Sequence, residues 1–151
     1  MLKLSRKTLY ALEAVVDIAY NARAEPVQSK EITARQGIPQ RYLEQVMQQL
    51  VRAGILKGVR GPRGGYLLAR ERRRVTVGEI VRVIAAMEEE SGGNGYDSES
   101  VMGRRIIAPL LDSIQQDMME RLDSVTVDDL CSEAAGTGVP RDSKDRLDFT
   151  I

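Results

Sequence analysis

Residues 60 to 66 read Arg-Gly-Pro-Arg-Gly-Gly-Tyr. Here Arg60 and Arg63 place two guanidinium forks, groups that hold phosphates or guanine edges, on a tight turn. Gly61, Pro62, Gly64 and Gly65 let the backbone bend sharply and come close to another surface. The plain alternative is a hairpin loop carrying one or two solvated charges. A second polar set lies upstream, where Gln40, Arg41, Glu44, Gln45, Gln48 and Gln49 share a helical stretch with Leu43, Val46, Met47 and Leu50. Amides and an arginine at the start of a helix can hydrogen-bond base edges in a major groove. Taken alone, that helix also reads as an ordinary amphipathic one with a glutamine-rich wet face.

Other chemistry is thinly supplied. The chain has no histidine and one cysteine, Cys131, which removes the commonest general base and metal ligand and excludes a disulfide framework within one chain. No nucleophile motif, phosphate loop or paired-carboxylate signature is present, and the sequence does not read as an enzyme. A formal net charge of zero over 151 residues conceals a division. Residues 1 to 86 carry 16 Lys and Arg against 7 Asp and Glu, and residues 87 to 151 carry 6 against 15. The basic part suits a polyanion, whereas the acidic part would repel it and must point elsewhere. The start of the chain lacks the apolar core and cleavage site of a signal peptide, and no apolar run approaches the roughly 20 residues of a membrane span, so a cytoplasmic location is expected.

The positioning elements follow from periodicity. Leu9, Leu12, Val15, Val16, Ile18 and Ala19 recur at helical spacing, with Lys3, Arg6, Lys7, Glu13 and Asp17 opposite, predicting a first helix over about 4 to 23. Glu25-Pro26 ends it. Ser29 can cap a second helix, 29 to 36, with Ile32 and Ala34 inward, stopped by Gly37. Pro39 suits the first turn of a third helix, 39 to 53. Ile55 to Val59 and Tyr66 to Ala69 then read as short strands around the arginine turn. The order is three helices and a two-stranded wing, a mainly α winged helix-turn-helix. Arg70, Arg72, Arg73 and Arg74 follow, a solvated run or a secondary phosphate contact. Thr76 and Glu79 form a capping box that opens a helix through Ile80, Val81, Ile84 and Met87.

Residues 1 to 87 thus make the DNA-binding unit, and 88 to 103, rich in glycine and carboxylate, read as a flexible sensor loop. In 104 to 135, Ile107, Leu110, Leu111, Ile114, Met118 and Leu122 mark one stripe of a long helix, with Pro109 kinking its early part or marking its start. An apolar face outside a complete core needs a cover. The expected cover is the same helix of a second subunit, and the alternative is folding back on its own domain. Thr126 and Asp129 repeat the capping signature at a further helix start. Residues 136 to 151 are polar and turn-rich and are expected to be a disordered or loosely docked tail.

Six stretches resemble the Rrf2 family of bacterial winged-helix transcription regulators. They are Leu4-Ser-Arg-Lys-Thr-Leu-Tyr-Ala-Leu, Gln36-Gly-Ile-Pro-Gln-Arg-Tyr-Leu-Glu-Gln, Leu50-Val-Arg-Ala-Gly-Ile-Leu, Val59-Arg-Gly-Pro-Arg-Gly-Gly-Tyr-Leu-Leu-Ala, Val75-Thr-Val-Gly-Glu-Ile and Leu122-Asp-Ser-Val-Thr-Val-Asp-Asp-Leu, running in family order from residue 2 to about 133. The resemblance implies a homodimeric DNA-binding regulator, usually a repressor, on a pseudo-palindromic promoter site, with a long helix crossing to the partner. It implies that Gln40, Arg41, Tyr42 and Glu44 face the groove, that Arg60, Pro62 and Arg63 form the wing tip, and that Ser5, Lys7 and Ser29 fall where backbone phosphates are held. Arg63 stands where members often carry another glycine, which points to a firmer phosphate grip or a narrower groove.

One departure concerns the signal. Cluster-binding members place three cysteines before the long helix, whereas residues 88 to 105 here hold neither cysteine nor histidine, so no iron-sulfur cluster or other cofactor is expected. Serines 91, 98 and 100 give little support as replacements. Three signals remain open: a hard cation on Glu88, Glu89, Glu90, Asp97 and Glu99; oxidation of Cys131; or a protein partner or small molecule in a pocket between the domain and the long helix. The competing functional reading is a winged-helix module that docks a protein partner through its acidic half.

Overall fold

The computed structural model describes residues 4–22, 24–89 and 98–141. Its helices are α1 (Arg6–Tyr20), α2 (Ser29–Gln36), α3 (Gln40–Arg52), α4 (Val77–Glu89), α5 (Ala108–Asp123) and α6 (Val127–Gly136), with strands β1 (Leu56–Val59) and β2 (Gly65–Leu68) between α3 and α4. A single 3-10 turn, Arg72–Arg74, precedes α4, and a stretch of π-helix, Gly103–Ile107, leads into α5.

The core forms where α1 meets α3 and α4. Ala11, Ala14, Val15 and Ile18 of α1 are fully buried with Leu43, Val46, Met47 and Leu50 of α3 and with Ile80 and Ile84 of α4. Small residues on α1 let the other helices approach closely, and each large side chain removed from water contributes about 1.5–3 kcal/mol. This is the three-helix unit read from the sequence, with two differences on α1. Leu9, expected inside, is 50% exposed. Asp17, expected on the wet face, is buried: its carboxylate accepts from Arg35 Nε and Nη2, both at 2.8 Å, and from Gln36 Nε2 at 2.9 Å. A carboxylate can be buried where a bidentate guanidinium and an amide satisfy it, and here that set pins the end of α2 onto α1.

The strands pair antiparallel with Leu56 opposite Leu68 and Val59 opposite Gly65. A third piece of chain joins them, because Val27 and Tyr66 exchange backbone hydrogen bonds of 3.0 and 2.8 Å. Gly65 permits this approach: a Cβ there would lie 2.4 Å from the Val27 carbonyl oxygen. We expect Gly65→Ala to lower unfolding free energy by about 1–3 kcal/mol in urea denaturation, through detachment of the wing. An unchanged midpoint would show that the Val27 segment can shift without cost.

Both capping boxes form. Glu79 N–H donates to Thr76 Oγ1 and Thr76 N–H to the Glu79 carboxylate, at 3.1 and 3.0 Å, and Thr126 and Asp129 do the same at 3.0 and 2.9 Å. The two helix starts lie side by side: Val77 N–H donates to Val125 O and Val127 N–H to Val75 O, each at 2.8 Å. The Arg82 guanidinium, which donates to Asp123 Oδ1 at 2.7 Å, adds a link between α4 and α5. Its hydrogen bond holds the Asp123 carboxyl below the usual carboxylate range, so this link is present above that group's ordinary pKa and weakens as pH falls.

The α2 cap is one residue earlier than expected, with the backbone N–H of Gln28 on the Glu31 carboxylate at 2.8 Å and Ser29 inside the first turn. Pro39 caps α3 rather than opening it, and Pro109 sits in the first turn of α5, immediately after the π-helix. Of the expected sensor loop, residues 88 and 89 belong to α4 and residues 90–97 lie outside the described residues. Of the expected tail, residues 142–151 lie outside them, while Val139 is docked, its carbonyl accepting from the Tyr20 hydroxyl at 2.6 Å.

Candidate nucleic-acid interface

The wing, the start of α2 and the end of α3 enclose a groove of about 670 Å³ lined by Ser29 and Lys30, by Val51, and by Arg60, Gly61 and Pro62. The first turn of a helix offers unpaired N–H groups and the positive end of its dipole. Here that end stands beside an ammonium and a guanidinium. Arg60 is exposed and makes no ion pair among the described residues, so its five donors are available to an anion. Arg63 does not line the groove and stands 3.6 Å from the Glu25 carboxylate, with both side chains largely in solvent. An exposed pair at that distance is weak and exchanges readily for a phosphate.

The start of α3 presents Gln40, Arg41, Tyr42 and Glu44, all exposed. They are partly ordered in advance. The Gln40 amide accepts from Thr33 Oγ1 at 3.0 Å and donates to Glu44 Oε1 at 3.1 Å, tying α2 to the polar face of α3. Tyr42 packs on Tyr10 with ring centroids 6.0 Å apart, an aromatic pair that fixes its ring against α1. Lys7 lies one turn before Tyr10 on the same helix and so falls near this end of α3.

Ser5, expected where a backbone phosphate is held, is engaged within the protomer. Its hydroxyl donates to a Glu88 carboxylate oxygen and stands 3.4 Å from the Thr8 N–H as the cap of α1. That makes it a link between α1 and α4. The arginine run is likewise divided, for Arg70 pairs with Glu79 at 3.2 Å and Arg72 with Asp128 at 2.7 Å. Arg73 and Arg74 remain exposed. The role of Asp17 in joining α1 to α2 was missed because helical periodicity counts a lone carboxylate as a wet position.

The apolar stripe of the long helix is also divided. Ile107, Leu110 and Ile114 are 44%, 54% and 54% exposed, whereas Leu111, Met118 and Leu122 are half-buried within the protomer. Ile106, Val101 and Met102 extend the exposed set.

The described residues contain no group of three His, Cys, Asp or Glu able to hold a metal ion; Glu90 and Asp97 lie outside them. Ser98 and Ser100 bond to each other at 3.1 Å, and Ser100 also caps Gly103 N–H at 2.9 Å. Cys131 is buried, and burial pushes its thiol pKa up. A cluster wants several thiolates, and this set of donors does not fit one. No helix among the described residues is long and apolar enough to cross a membrane.

Residues 4–133 match the sequence pattern of a family described as Rrf2, iron-dependent transcriptional regulator. The HTH-type transcriptional regulator IscR of Escherichia coli O1:K1 is 41% identical over 83 residues, which cover 55% of this chain and 51% of that one. The chain thus spans about half the length of the curated relatives it matches. Among solved structures, T. potens IscR superposes with a TM-score of 0.71 at 34% identity, covering 95% of this chain and 96% of that one. CymR (YrzC), the global cysteine regulator of B. subtilis, gives 0.66 at 32% identity, with 88% and 98% covered.

Proposed function

Given that the chain belongs to the Rrf2 family of transcriptional regulators, we propose that it is a homodimeric repressor that binds a pseudo-palindromic promoter site through one winged helix-turn-helix per subunit. The observation that carries this reading is the groove where Ser29, Lys30 and Arg60 converge beside the wing, next to a third helix whose outer face is polar and mostly uncharged. In this arrangement α3 enters the major groove, with Arg41 suited to guanine O6 and N7 and Glu44 to the cytosine amino group. Lys7, Lys30, Arg60 and Arg63 hold phosphates, and Pro62 lies against the minor-groove rim.

Affinity then rests on displaced counterions. With six to ten phosphate contacts per dimer, binding falls by about 10³–10⁵ between 50 and 200 mM salt. A gel shift on the chain's own upstream region against a scrambled duplex, repeated across that range, tests the proposal. Equal binding to both duplexes, or indifference to salt, overturns it.

The residues divide the work. Arg60→Ala weakens binding to every sequence alike and lowers the salt slope by about 2 for the dimer, one contact per subunit. Glu44→Ala leaves the slope alone and relaxes preference at one base pair by about 10–100-fold, the worth of one base-edge contact. A selection from a randomised half-site separates the two, and identical profiles for both variants would contradict the assignment.

The potential ligands within residues 98–104 are hydroxyls, backbone groups and the Glu99 carboxylate, with no thiol, so the reading includes no iron-sulfur cluster. It places the protein where its DNA is, in the cytoplasm.

A further inference from the structure

A second cavity, of about 770 Å³, lies on the far side of α1, between α2, α6 and the chain that follows α6. It is not where the sequence placed a pocket, because α5 contributes nothing to its lining. Leu12, Val16 and Tyr20 of α1 and Leu130 and Ala134 of α6 make it mainly apolar. Its mouth is formed by a turn: Gly138 adopts φ 80°, Val139 N–H returns to Ala134 O at 3.0 Å, and residues 139–141 fold back over Tyr20.

Two features say what would fit. The Arg141 guanidinium lies over the Tyr20 ring, 4.8 Å from its centroid, so that face accepts a flat cation. Beside it the half-buried Glu13 carboxylate lines the cavity with no hydrogen bond or ion pair among the described residues. Burial raises its pKa, with Arg6 partly opposing. The other charged groups of the wall are already engaged, Asp17 with Arg35 and Glu31 with the Gln28 N–H. Arg6 acts on Glu13 through its charge, yet the carboxylate has no direct cationic partner among the described residues.

We propose that this cavity binds a small organic cation with a flat apolar body, such as an aromatic amidine, guanidine or amine, its charge on Glu13 and its ring plane against Tyr20 in place of Arg141. The wall includes Ala34, Arg35 and Gln36, the last turn of the helix that precedes α3. Occupancy therefore bears on how α2 is held, and the cavity is an effector site; that second statement rests on the proposed function, whereas the binding does not.

Benzamidine, benzamide and benzoate are three probes of one shape and different charge. Calorimetric titration of the full chain without DNA is expected to show saturable benzamidine binding at about 1 mM or tighter, and benzamide and benzoate at least about tenfold weaker. Glu13→Gln, checked for native helicity, is expected to lose at least about tenfold for benzamidine alone and to bind DNA as the parent does. Absence of saturation, equal binding of benzamide or benzoate, or an unaffected Glu13→Gln overturns the site. Gel shifts in saturating benzamidine are expected to move operator affinity at least about threefold in the parent and not in Glu13→Gln. Confirmed binding with no such movement overturns the effector role and leaves the DNA-binding proposal standing.

Discussion

Asp17→Ala is expected to remove about 3 kcal/mol of unfolding free energy, a large share of what a domain of this size holds. The Asp17 side chain is wholly enclosed and receives three hydrogen bonds from Arg35 and Gln36. Its loss takes the enclosed carboxylate acceptor from the Arg35 guanidinium, whose side chain is 22% exposed, and from the amide of the exposed Gln36, which can turn to water. Breaking a buried pair by removing one partner costs about 3–5 kcal/mol, and the partial access of Arg35 to water places this case at the lower end. Asp17→Asn keeps an acceptor and the shape and should fall between. Urea denaturation checks the order. Adding Arg35→Ala to Asp17→Ala should cost less than the sum of the single changes. A loss below about 1 kcal/mol for Asp17→Ala would show that the α1 to α2 junction is held by its apolar contacts instead.

The second large effect is on assembly. Leu110→Asp with Ile114→Asp places two charges on the exposed face of α5, where the wild-type side chains bury little within the protomer. Surface changes of this kind cost a fold about 0.5 kcal/mol or less, but charges facing each other across a two-fold axis disrupt an interface built on that face. The variant should run as a monomer by light scattering. Its operator affinity should drop at least about 100-fold, because each half-site then binds without the effective concentration supplied by its twin. A parent chain that is monomeric at micromolar concentration, or a variant that stays dimeric, would sink the assignment of α5.

How much was legible depends on the range of the interaction. Thr76 with Glu79 and Thr126 with Asp129 are read from four-residue patterns because each box closes within one turn. The α3 stripe of Leu43, Val46, Met47 and Leu50 is buried as its period requires. The wing hairpin emerges from its glycines for the same local reason. By contrast, Ser5 meets Glu88 across 83 positions, and Tyr20 meets Val139 across 119; neither separation leaves a pattern in the chain. Asp17 was placed outside because periodicity sorts residues by polarity, and only the fold brings Arg35 against it. Val27 joins the wing with a single residue, too short to signal a strand. The exposure of Gln40, Arg41, Tyr42 and Glu44 on α3 and of Arg60, Pro62 and Arg63 on the wing agrees with the resemblance, while the splitting of the α5 stripe depends on which of its side chains α4 already covers.

The paired starts of α4 and α6 have a consequence for the operator. Hydrogen bonds from Val77 to Val125 and from Val127 to Val75 clamp the far end of α5 to the same body that carries the wing. In the proposed dimer, joined through the exposed face of α5, the two reading heads would therefore stand at a set distance and phase. Inserting one base pair at the dyad would turn one half-site by about 35° relative to the other. A rigidly yoked pair could not follow that rotation, so the proposed dimer would measure the spacing of its promoter as strictly as its letters.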